Sequence, residues 1–71
     1  MFLLEVKREE PVTDNPNGPN WLPYRIIGAN TIRLALTVET RIPKGYISRL
    51  VRITPIRSND IAERIRSIWG N

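Results

Sequence analysis

Between Thr31 and Ile42 apolar and polar residues alternate, with Ile32, Leu34, Leu36, Val38 and Ile42 on even positions and Thr31, Arg33, Thr37, Glu39 and Arg41 on odd ones. A period of two predicts a half-buried β-strand, one face toward a core and the other toward water or a partner. In so short a chain this strand is expected at the centre of the only sheet. Phe2 to Lys7 sets Phe2, Leu4 and Val6 opposite Glu5 and Lys7 and predicts a first strand over 2–7. Periodicity is then lost from Glu9 to Pro23, where Pro11, Pro16, Pro19 and Pro23 remove backbone donors, so a loop is expected over 9–23. Its length is that of a mobile or functional connection.

Arg25 to Ile27 reads as a short strand, and Gly28, Ala29 and Asn30 as a tight turn leading into the central strand. Pro43, Lys44 and Gly45 suit the second to fourth positions of a type I turn, which predicts a second hairpin returning through Tyr46 to Ile53. Hairpins are thus expected over 25–53. Ile47, Val51 and Ile53 share a parity that Leu50 breaks, and a bulge near Arg49 reconciles them. From Ser58 the period changes. Asp60 and Glu63 have the spacing of a capping box, Ile61, Ile65, Ile68 and Trp69 share one helical face, and Gly70 is placed as a stop. A helix is expected over 59–69.

These elements predict one α+β domain over residues 1–71: a mainly antiparallel sheet of three or four strands with the C-terminal helix on one face. The rival architecture is a small barrel of SH3 or OB type. At 71 residues a single core leaves much surface uncovered, so stability is expected to be modest unless a partner or a second copy contributes. The opening MFLLEVKREE has too short an apolar run for a membrane span or signal peptide, and no membrane partner is expected. The C-terminal helix is a poor membrane binder too, because its apolar face is needed for the core. A cytoplasmic setting suits a chain with no cysteine.

Charge sharpens the picture. Residues 1–24 hold Lys7 and Arg8 against Glu5, Glu9, Glu10 and Asp14, whereas the remainder holds nine basic residues against three acidic ones, for a net charge of +4. The basic half is the folded half. Nine of the cations are arginine and two are lysine, a bias that favours protein interfaces over simple phosphate neutralisation. Arg25, Arg33, Arg41, Arg49 and Arg57 recur every eight residues. Eight is too short for a solenoid repeat and turns interrupt the register, so the period is read as coincidence and the local density of cations as a patch.

Catalytic chemistry finds little support. There is no histidine or cysteine, which removes the ordinary zinc, haem and iron–sulfur ligands, and the serines Ser48, Ser58 and Ser67 have no neighbouring base in sequence. Glu9 and Glu10 read as solvated charges. Glycines are scattered singly and match no phosphate-binding loop, and Pro16 and Gly18 break any resemblance of 14–18 to a calcium loop. No enzyme activity, cofactor or metal is expected.

The expected function is a non-enzymatic interaction module, a regulatory or structural subunit docking on an acidic surface of a larger protein assembly. The expected contacts are Arg33, Arg41, Lys44, Arg49, Arg52 and Arg57 on an open sheet face, with Trp21, Tyr24 and Tyr46 as aromatic anchors. Phe2 and Trp69 fall on apolar faces and are assigned to the core. The alternative is a nucleic-acid binder using the same surface, although no RNP-like aromatic pair lies on one strand. Unprotected sheet edges also admit a homo-oligomer.

Overall fold

In strand β1, Phe2–Arg8, the residues Phe2, Leu3, Leu4 and Val6 are all buried although neighbours point to opposite faces. A strand covered on both sides has to lie inside the sheet, and β1 does. A computed structural model describes residues 1–9, 21–38 and 40–70, and in it β1 is flanked by β2, Leu22–Ile27, and β3, Tyr46–Arg52, in the order β2-β1-β3 with both pairings antiparallel. Helix α1, Ile32–Thr37, connects β2 to β3 across the sheet, and helix α2, Ser58–Trp69, follows a single 3-10 turn at Pro55–Arg57. The sheet is open, with β2 and β3 as its edges, so the architecture is a small α+β fold and not a barrel. Most of the expected loop, residues 10–20, lies outside the described residues.

The alternating segment from Thr31 to Ile42 is not the central strand. The Thr31 hydroxyl accepts a hydrogen bond from the Leu34 N–H at 3.2 Å and caps a helix. Arg33, Leu34, Ala35 and Leu36 are all strong helix formers. Six residues coil, and Ala35 alone among them is buried. Val38 then turns extended at ψ 117° and its N–H donates to the Ala35 carbonyl. The apolar residues that suggested a strand are divided between two tasks. Val38 and Ile42 pack on the core made by Phe2, Leu4, Ile27 and Ala35, while Ile32, Leu34 and Leu36 stay exposed.

The expected hairpins are absent for the same reason. Gly28 to Asn30 leads into α1 instead of reversing the chain. Tyr46 N–H donates to Pro43 O at 3.3 Å, which puts Gly45 third in the turn at φ +88°, the left-handed conformation a type II turn requires there. That turn delivers β3 to the side of β1, where Glu9 N–H donates to Gly45 O at 2.9 Å. No bulge occurs at Arg49: β3 pairs in unbroken register from Phe2 opposite Arg52 to Arg8 opposite Tyr46. The irregularity is on the other side of β1, where Leu4 faces Arg25 but Glu5 faces Pro23, leaving Tyr24 as the extra residue. A buried proline is tolerated in this edge strand beside a bulge.

Helix α2 starts one residue earlier than expected and lies against β2. The capping box does not form. Asp60 sits in the first turn, where its charge suits the helix dipole, and the Ser58 hydroxyl instead donates to Pro55 O at 2.6 Å. Gly70 closes the helix at φ +74°, its N–H donating to Arg66 O at 2.9 Å. This division of apolar residues is directly testable by urea denaturation. Leu4→Ala lowers stability by about 2–5 kcal/mol, because it empties the core, and Leu36→Ala changes it by less than about 0.5 kcal/mol; the reverse ranking would restore 31–42 to the sheet.

Candidate functional site

The bulge in β2 positions the aromatic residues. Trp69, on the last turn of α2, donates its indole N–H to the Pro23 carbonyl at 2.7 Å and meets Tyr24 edge-on, with centroids 5.1 Å apart and planes at 88°. Tyr46, at the start of β3, approaches the same indole at 6.0 Å and 69°. These are favourable edge-to-face arrangements. The cluster fastens the C-terminal end of α2 to the sheet, so Tyr24 and Tyr46 are half-buried structural contacts as well as candidate anchors.

Beside this cluster is an open cleft of about 490 Å³ lined by Tyr24, Arg25, Arg41, Ile65, Arg66, Trp69 and Gly70. Three arginines from three different parts of the chain line it, and among the described residues no carboxylate does. Among the described residues no ion pair or hydrogen bond engages any of the three. Each therefore keeps its forked set of donors for a bound carboxylate or phosphate.

The other arginines are occupied differently. Arg49 donates from Nε to Glu5 Oε1 at 2.8 Å and lays its guanidinium 4.3 Å from the Trp21 ring centre, with Lys7 Nζ 5.8 Å from that centre. The Arg49 side chain is 49% exposed and that of Glu5 16%, so the pair contributes little, about 0–1 kcal/mol, and stacking on the indole adds about as much. Arg52 lies 5.1 Å from the Phe2 ring centre. Arg52, Arg57 and Arg64 line a smaller cleft of about 260 Å³ between the sheet and α2, together with Trp21 and Ile61. Glu5 reaches into this one.

The expected residues are thus distributed over the molecule and do not form one row. Arg33 projects from α1, Lys44 from the turn before β3, and Arg41 from the segment after α1, all three exposed. The row proposed for the open face of a central strand does not exist, since neither Arg33 nor Arg41 is on a strand. Arg25, Arg64 and Arg66 join the clefts unanticipated by the sequence reading. Their convergence depends on α2 lying against β2, which no local pattern announces.

Among the described residues no group of three or more acidic, histidine or cysteine side chains is placed to hold a metal, and no helix is long and apolar enough to cross a membrane. Neither a family model, nor a curated protein, nor a solved structure matches this chain. The anchoring role of Trp69 can be measured by chemical denaturation. Trp69→Phe keeps the ring contacts and loses the bond to Pro23, costing about 1 kcal/mol, whereas Trp69→Ala costs about 3 kcal/mol; equal losses would mean that the indole N–H contributes nothing.

Proposed function

We propose that this chain is a non-enzymatic interaction module, a small subunit or regulatory protein that docks on an acidic surface of a larger protein through the cleft bounded by Arg25, Arg41 and Arg66. The observation that carries the reading is a cleft lined by three arginines that no ion pair engages and, among the described residues, by no carboxylate. Bringing like charges together costs free energy unless an anion joins them, and a planar fork suits carboxylates in particular. Arginine outnumbers lysine nine to two, as suits a protein contact. The aromatic side chains also lean this way, because Tyr24 and Trp69 are packed against each other and the indole N–H is held by Pro23. A base would find no free pair of ring faces there to stack between. A cytoplasmic location fits this reading, since the chain has no cysteine.

Polyglutamate and a generic single-stranded oligonucleotide are the defined probes. The chain is expected to bind polyglutamate, and exchanging Arg41 and Arg66 together for lysine weakens that binding about tenfold while leaving the net charge unchanged. If the oligonucleotide binds more tightly, with log K falling steeply against log salt and with no response to the lysine exchange, the cleft is a phosphate site and the chain a nucleic-acid binder.

A further inference from the structure

We infer that the outer edge of β3 accepts an extended acidic segment of another protein as a fourth strand. The edge has open backbone groups at defined positions. Ile53 N–H donates to Met1 O at 3.1 Å and Glu9 N–H donates to Gly45 O at 2.9 Å, in the same register that pairs β1 with β3. In an antiparallel ladder alternate residues turn their N–H and C=O toward the partner, so Ile47, Arg49 and Val51 are committed to β1. Ser48, Leu50 and Arg52 therefore turn theirs outward. No hydrogen bond among the described residues closes on them.

The side chains along this edge specify what would bind. On the core face a groove of about 150 Å³ runs between α1 and β3, lined by Ala35, Leu36, Val38, Thr40, Ser48 and Leu50. Leu36 is 70% exposed on its rim, and Ile32, one helical turn earlier, is 52% exposed. A residue added beside Leu50 directs its side chain into this groove and covers Leu36. A residue added beside Arg49 lies on the opposite face and meets a guanidinium group that bonds Glu5 through Nε alone, whereas Arg52 shares the face of Leu50 and is laid over Phe2. The complementary segment alternates apolar and acidic side chains, and its backbone completes the outward hydrogen bonds. A second copy of this chain is a poor occupant, because it would bring two sets of edge arginines together while Glu5, the carboxylate opposite Arg49 in the ladder, is already engaged by it. This edge lies across the sheet from the arginine cleft, and the inference stands whatever that cleft binds.

The probe is a peptide of seven residues, the length of β3, alternating leucine and aspartate. At saturation, amide exchange at Ser48, Leu50 and Arg52 is expected to slow at least about tenfold, while the amides of β2 are unchanged. By fluorescence anisotropy, Leu36→Glu weakens binding about tenfold, and replacing aspartate by lysine in the peptide, or methylating alternate peptide nitrogens, abolishes it. Leu36 is exposed, so the variant retains the wild-type circular dichroism. Absence of binding, binding without protection of those three amides, or equal binding of the lysine peptide overturns the inference. So does a dimer in sedimentation equilibrium that Leu36→Glu dissociates, since the occupant would then be a second copy.

Discussion

One strand has to be dry on both sides, and the rest of the molecule is arranged to make it so. Phe2 and Leu4 face one way and Leu3 the other, and all three are buried. Toward the first face Ala35 of α1, Val38, Ile42 and Leu50 close the core; toward the second, Leu3 and Val51 share a cleft with Ile61 of α2. Neither helix is optional in this scheme. A three-stranded sheet with one bare face would leave part of β1 in water, at about 25 cal/mol for each Å² of apolar surface left uncovered.

The same requirement explains which elements were legible in the sequence. A strand interior to a sheet reads as a run of apolar residues and not as an alternation, and the run from Phe2 to Leu4 is the only one of that kind at the start of an element. The clean alternation at 31–42 drew attention to the wrong segment. The competing signal was there, in a threonine placed to cap and four helix formers after it, but it carried less weight than the period. β2 was half hidden because Pro23 reads as loop and the bulge at Tyr24 breaks the parity. The C-terminal helix was read within one residue, since both its face and its terminal glycine are local features. The arginine clefts depend on contacts between distant elements and were out of reach.

Arginine serves three physical ends here. Arg49 and Arg52 lie over aromatic rings, where a weakly hydrated planar cation covers apolar surface and still faces solvent. Arg49 also neutralises Glu5. Arg25, Arg41 and Arg66 do neither; they line the open cleft, where no ion pair among the described residues engages them. Counting cations along the chain could not separate these uses, because each depends on what lies within a few ångströms of the guanidinium.

The position of β1 in the sheet also governs how the chain can fold. Both its partners are distant along the chain: β2 begins at Leu22 and β3 at Tyr46, and the two later strands do not pair with each other. Among the described residues no short local hairpin exists to nucleate the sheet. The first productive event must close a loop spanning more than a dozen residues, and the second a loop of several times that reach, before either closure is rewarded by burial. Helix α2 can form transiently by itself, yet its docking site on β2 is complete only once the ladder is in place. Assembly is therefore concerted, and partly formed states expose the same apolar run that later becomes the molecule's interior.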